Sequence, residues 1–199
     1  MRYKILLGSV VIAFIGLAVF TPSFARETYV ALVSRLTDAA RAVEQTTVEM
    51  QLFELANNFR RSKGLPALAK DEALQGAALA HAMDMMQHKY MGHNASTGHD
   101  FDGRMRALRG GAMVLPSMGE NAARLTHGGA EAPDAARRIF EQWVKSAPHR
   151  QALSSRDYVK VATGVVVQGG VLYADQIFSG PDVKVNFGRA EESPATTLY

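Results

Sequence analysis

Apolar residues recur at helical spacing in several stretches of this chain and at strand spacing in one closing block. Val48 to Ser62 carries Leu52, Leu55, Ala56 and Phe59 on one stripe, and Gly64-Leu65-Pro66 ends it. Asp71 stands where a cap belongs, before a second helical run with Leu74, Ala78, Ala82 and Met85, which frays near His88 to Met91. Pro133-Asp134 opens a third, with Ala136, Ile139, Phe140, Trp143 and Val144 on its apolar side, and Pro148 stops it. Val159 to Val167 and Val171 to Phe178 are β-branched and aromatic, and Gly169-Gly170 between them is a two-residue hairpin signal. Arg26 to about Val43 is more weakly helical, with Val30, Val33, Leu36 and Ala40. Between the second and third strong helices, Gly92 to Pro116 is glycine-rich and lacks periodicity, which predicts a long irregular loop of the kind that carries function or is disordered. Helices first and a hairpin last predict an α+β fold with helices packed on a small antiparallel sheet.

Composition changes this picture at the two ends. Arg2 and Lys4 precede an uncharged, mostly apolar run from Ile5 to Phe20, followed by Thr21-Pro22 and the small-residue triplet Ser23-Phe24-Ala25. That order is the layout of a secretory signal peptide cleaved after Ala25. The run is shorter than the ~20 apolar residues that a spanning helix needs, so no membrane span is expected after cleavage. The expected organisation is a signal peptide at 1–25, an N-terminal helical extension at 26–47, a globular domain at 48–180 and a polar tail at 181–199.

Charge and cysteine usage narrow the function classes. Removing Arg2 and Lys4 from 22 basic and 19 acidic residues leaves 20 against 19, a net charge of +1, which excludes a nucleic-acid partner as a default expectation. The chain has no cysteine, so a single core must hold an exported domain together without disulfides, and Asn94-Ala95-Ser96 is a silent sequon in a bacterial periplasmic or secreted protein.

Three polar residues stand at element ends or in loops: His93 in MGHNASTGHD, Glu120 in PSMGENAARLTH and His149 in WVKSAPHRQAL. Two imidazoles and a carboxylate suit a divalent metal such as zinc with one position left for water. Each has a plainer explanation as well: an exposed loop histidine, or a glutamate satisfying backbone amides. His81 on the edge of the apolar stripe is read as a hydrogen-bonded core residue. HAMDMMQHKYMGH gathers thioethers and imidazoles in a pattern that suits copper handling, but Met85 continues the stripe as core filler. Arg150 is read as a helix-end cation. Ser146 beside His149 forms a nucleophile–base pair only if an acid orients the imidazole, and no spacing places one.

Five blocks carry a family resemblance: NNFRRSKGLPALAKDEALQGAALAHAMDM, MGHNASTGHDFDGRM, MGEN, FEQWVKSAPHRQAL and VATGVVV with LYADQIF. In this order, over about Leu52 to Ser179, they resemble the CAP superfamily of cysteine-rich secretory proteins, antigen 5 and pathogenesis-related proteins, and most closely its bacterial SCP-like extracellular branch. The resemblance implies an α-β-α sandwich with a shallow cleft lined by two histidines and two glutamates, which in some members bind zinc or another divalent ion. By motif these positions fall on His93, Glu120 and His149, while the second glutamate falls on Ser146, a poor metal ligand; His99 and Asp100 stand near enough in sequence to compensate. Asn121 is expected to order the Glu120 loop or its carboxylate. The implied function is an exported domain whose cleft, formed by His93, Glu120, Asn121, Ser146 and His149, binds a small or lipid-like ligand, with a divalent cation as a candidate cofactor. The alternatives are a metal-dependent hydrolase of the cell envelope, with Glu120 as base, and a non-catalytic envelope or adhesion module.

Overall fold

The computed structural model describes residues 43–108, 116–126, 128 and 131–181. The expected signal peptide, most of the N-terminal extension and the tail beyond residue 181 lie outside them. The described residues form five helices and four strands: α1 (Val43–Ser62), β1 (Ala69–Lys70), α2 (Glu72–His88), α3 (Phe101–Leu108), β2 (Met118–Thr126), α4 (Ala132–Lys145), α5 (Ala147–Ser154), β3 (Lys160–Gln168) and β4 (Val171–Ser179). The sheet order is β1-β3-β4-β2. In it β4 runs antiparallel to both β3 and β2, and the two-residue β1 adds a parallel edge on β3.

The expected hairpin is present in register, Gln168 opposite Val171. Gly169 and Gly170 turn it with φ of 57° and 74°, the left-handed values that a primed two-residue turn requires. α1 ends where Gly64-Leu65 predicts. Gly64 (φ 67°) donates to the Arg61 carbonyl at 3.0 Å and Leu65 to that of Arg60 at 3.0 Å, the paired bonds that close a helix C-terminus. α2 ends in the same way on Lys89 (φ 57°), with Lys89 N bonded to Met86 O at 3.3 Å and Tyr90 N to Met85 O at 3.1 Å.

Two layers of helix enclose the sheet. α1 and α4 cover one face with Val48, Leu52, Ala56, Ile139 and Trp143 over Val161, Val165, Leu172, Ala174, Phe178, Ala123 and Leu125. α2 covers the other. There Leu79, Ala82, Met85 and Met86 pack on Ala122, Val166 and Tyr173, and Leu74, Ala77 and Ala78 pack with Met105 of α3 on Ala162 and Ile177. At Gly164 the α2 backbone lies on the sheet itself: a Cβ there would overlap Ala78 and Leu79.

Several expectations need correction. The stretch from Gly92 to Pro116 holds a helix, α3, whose first turn is capped by Asp100 Oδ1 accepting from Gly103 N at 2.7 Å. Eight residues with an internal glycine show too few apolar positions to register as periodic. Glu120 is inside strand β2, not beside an element; MGENAARLT has no β-branched residue before Thr126 and is a strand because all nine of its positions pair with β4. Pro148 starts α5 as much as it ends α4, sitting in the first helical turn where a missing N–H costs nothing. Asp71 occupies the N-cap position of α2 but makes no side-chain cap; its Oδ2 accepts from Ser179 Oγ at 2.6 Å, joining the start of α2 to the end of β4.

Candidate functional site

β2 delivers the carboxylate. Strand alternation puts Glu120 on the α2 side of the sheet with Ala122 and Arg124, and Asn121 on the opposite face. Gly119 precedes it because the Tyr158 ring crosses there: a Cβ would overlap the Tyr158 hydroxyl, which donates to the Met118 carbonyl at 3.0 Å.

The Glu120 side chain is 2% exposed, and both its oxygens are engaged. Arg104 of α3, fully buried, donates through Nη2 to Oε1 at 2.5 Å and to the His93 carbonyl at 2.9 Å. His93 donates its Nδ1–H to Oε2 at 2.8 Å while its ring stays 52% exposed. One guanidinium therefore ties the His93 backbone and the carboxylate that orients the His93 ring. With Nδ1 committed, Nε2 is the nitrogen free to act. Burial pushes the Glu120 carboxyl up, but the His93 hydrogen bond and the Arg104 charge outweigh it, and the net direction is down. His93 moves up, chiefly through its bond to Glu120.

His149 comes from the first turn of α5. Its ring lies 6.4 Å from that of His93, centroid to centroid, at an interplanar angle of 69°. Burial, then the charge of His93, lowers its pKa. Asn121 Nδ2 donates to the His149 carbonyl at 3.3 Å. Asn121 therefore holds the α5 end of the site, reached through the opposite face of the sheet from Glu120, where the sequence suggested an ordering role for Glu120 itself. The structure brings His93, Glu120 and His149 together from a loop, a strand and a helix start.

The remaining candidates separate. Ser146 is the residue before α5 and bonds through its backbone, N to Gln142 O at 3.1 Å and O from Arg150 N at 2.9 Å. His99 pairs with Thr97 Oγ1 at 3.0 Å and Asp100 caps α3. Arg150 sits on the α4 end, donating to Val144 O at 2.7 Å, as a helix-end cation should. His81, 1% exposed, donates Nε2–H to the Gly92 carbonyl at 2.8 Å, and burial followed by Arg104 holds its pKa down. In the Met/His stretch Met85 and Met86 are core, whereas Met91 is exposed.

Two residues of the site escape sequence reasoning. Arg104 sits in a helix too short to show periodicity. Asp175 is fully buried on β4, opposite Ala122 and Gly164. Neither Asp175 oxygen has a side-chain N–H or O–H donor among the described residues; the Gln176 backbone N–H and the Glu120 carboxylate act on them. Burial first and the Glu120 charge second drive the Asp175 pKa well above the carboxylate range. The only signal in sequence was an acid inside the apolar run VLYADQIF.

The donor chemistry bears on a metal. Among the described residues no three His, Asp or Glu side chains are arranged to hold one ion. His93 and His149 present two imidazoles, and the carboxylate behind them is engaged by Arg104 and His93. That set fits a two-nitrogen site with Glu120 orienting one ligand, as carboxylates behind metal-bound histidines do, and it does not fit a closed structural zinc site.

The likeness to known proteins agrees with this architecture. An uncharacterized membrane protein of Bacillus subtilis (strain 168), YlbC, is 31% identical over 121 residues, covering 61% of this chain and 32% of that protein, so the chain spans about a third of this relative's length. Two solved structures share the fold. An extracellular protein containing a SCP domain from Bacillus anthracis has a TM-score of 0.57 at 21% identity, over 72% of this chain and 45% of that one. An outer surface protein from Borrelia burgdorferi has a TM-score of 0.58 at 17% identity, over 72% of this chain and 98% of that one. Among the described residues no helix is long and apolar enough to cross a membrane. Residues 53–180 match the family model of the CAP, or cysteine-rich secretory protein, family, and the chain belongs to that family.

Proposed function

We propose that this chain is exported to the bacterial periplasm or exterior and that its cleft binds a small or lipid-like ligand through the imidazoles of His93 and His149. A divalent cation such as zinc would be held by these two nitrogens, with ligand or solvent atoms completing its coordination, and would supply a positive centre for an electron-rich group of the ligand. The observation that carries the reading is the pairing of two accessible rings 6.4 Å apart over a base that is itself buried and locked, Arg104 with Glu120. A site with rigid support and open ligating atoms is arranged for recognition. Export is supported by the basic start, the apolar run and Ser23-Phe24-Ala25, and by relatives named as extracellular or outer surface proteins.

The geometry favours binding over hydrolysis. A general base needs a free oxygen and a pKa near the working pH. Both Glu120 oxygens accept hydrogen bonds, and its pKa is held below the usual range. The test is native mass spectrometry of protein recovered from the envelope fraction. The expected species begins at Arg26 and carries a ligand that His149→Ala and His93→Ala lose. Ligand retained equally by all three proteins would place binding elsewhere.

A further inference from the structure

A second concave site lies on the α2 side of the sheet, farther along β2 and independent of the two histidines. It is a half-open hollow of about 190 Å³, lined by Met86, Lys89, Arg124, Gln168, Val171 and Tyr173.

Arg124 is the organising residue. It stands directly opposite Tyr173 across β2 and β4. Its Nε donates to the Tyr173 hydroxyl at 3.1 Å, and its guanidinium carbon lies 5.7 Å from the ring centroid. Tyr173 is 4% exposed, so it is a fixed platform. One edge of the guanidinium is held by the hydroxyl and one face is held over the ring. Among the described residues its two Nη groups make no hydrogen bond and no ion pair, which leaves the fork that fits carboxylate or phosphate oxygens in pairs.

Lys89 supplies a second positive charge to the same walls. It is held there by backbone: it is the one non-glycine residue at positive φ among the described residues, at 57°, and its N–H and that of Tyr90 close the end of α2. Gln168 adds an amide from the hairpin corner, and Met86 and Val171 are apolar walls. Among the described residues no carboxylate lines the cavity. Two cations facing one hollow repel each other, and an anion between them reverses the sign of that interaction. Arg124 is exposed, and its contacts with Tyr173 reduce the cost of ordering it around an incoming anion.

From this the geometry points to an anion-binding site built from Arg124, Lys89 and Gln168 on the Tyr173 platform, taking a phosphate or carboxylate group. The site lies apart from His93 and His149, so it stands or falls separately from the cleft.

The experiment uses the full secreted chain and inorganic phosphate at low ionic strength, followed by titration calorimetry, with chloride at equal ionic strength as the blank. Saturable binding at one site is expected. Arg124→Gln with Lys89→Asn, a residue that tolerates positive φ, should weaken it at least tenfold, Tyr173→Phe should weaken it severalfold by releasing the guanidinium, and His149→Ala should leave it unchanged. Flotation with phosphatidylcholine vesicles, with and without phosphatidylglycerol, separates the sources: Arg124-dependent binding to the anionic vesicles alone assigns a lipid headgroup, and its absence beside phosphate binding assigns a soluble anion. The proposal is overturned if phosphate does not saturate, or if the double variant binds it as the wild type does.

Discussion

The two faces of the sheet are built on different principles. The face under α1 and α4 is dominated by one continuous apolar cluster, anchored by Trp143 and Phe178, and its energy is mostly area removed from water. The face under α2 holds two smaller apolar clusters. Between them runs a polar seam of Gly164, Asp175 and Glu120 on the sheet, with Arg104 of α3 closing on it. The seam sits where α2 approaches the sheet too closely for any side chain at residue 164. Tight backbone packing thus brackets a set of buried charges, and the end of that set emerges as the His93 ring. One face holds the fold; the other gives up apolar area to hold an imidazole in place.

The sharpest way to break the difference is Gly164→Val. Its Cβ would overlap α2 backbone that cannot move without disturbing both small clusters, so the loss should reach or exceed the ~1–3 kcal/mol usual for overpacking. Thermal unfolding, with expression yield as the fallback readout, checks it. Next is Arg104→Met, which leaves Glu120 charged, buried and close to Asp175. A cost of about 3–5 kcal/mol is expected, against a much smaller loss for Arg104→Met combined with Glu120→Leu, because replacing a buried pair is tolerated where orphaning one partner is not. If the single and double variants melt together, the pair is not the source of the energy.

Asp175→Asn should move stability the other way. The folded state raises this pKa, so above the unfolded value folding must retain a proton that the unfolded chain releases. That burden is absent below the unfolded carboxylate pKa of ~3.9 and grows as pH rises above it. Asparagine supplies a donor at every pH, so the variant should be more stable than wild type at pH 7, with the advantage fading towards pH 4. An equal difference at both pH values would contradict a raised Asp175 pKa. Denaturant midpoints across that range provide the readout.

The smallest effect separates the two histidines. His93 is raised by Glu120; its contribution to stability is complete below the unfolded value near ~6.5 and is lost as pH rises through the folded one. His149 is lowered, so its effect has the opposite sign: stability is lost as pH falls from ~6.5 through the folded value. Ring-proton titrations should place His93 above His149, and Glu120→Gln should close most of that gap. A gap unchanged by Glu120→Gln would remove the carboxylate from the account.

Much of this was legible in sequence, and the gaps have physical causes. α1, α2, α4 and the β3–β4 hairpin announce themselves because long amphipathic runs and a Gly-Gly turn are local signals. The family blocks pointed to His93, Glu120 and His149, which do come together in space. β2 was missed because its residues are poor strand formers and it exists through pairing with β4, a partner about fifty residues away. Arg104 was hidden by the brevity of α3. Asp175 looked like an interruption in a buried strand, and only three-dimensional proximity to Glu120 explains why the strand tolerates it. Asn121, adjacent to Glu120 in sequence, serves the other side of the sheet, because successive strand residues face opposite ways.

The central claim is that the buried Arg104–Glu120 pair holds His93 beside His149 so that the two rings take a ligand together. Zinc titration by calorimetry tests it most directly, using wild type, His93→Ala, His149→Ala, Glu120→Gln and Ser146→Glu, each first verified as folded by circular dichroism. The account predicts one site in the wild type that weakens as pH falls through ~6.5. Binding should be nearly lost in either histidine variant, reduced about 10- to 100-fold in Glu120→Gln, where only the orienting carboxylate is changed, and strengthened in Ser146→Glu, which adds an acid one turn before His149. Zinc bound equally by the wild type and both histidine variants, or by none of them, would contradict a shared two-imidazole site.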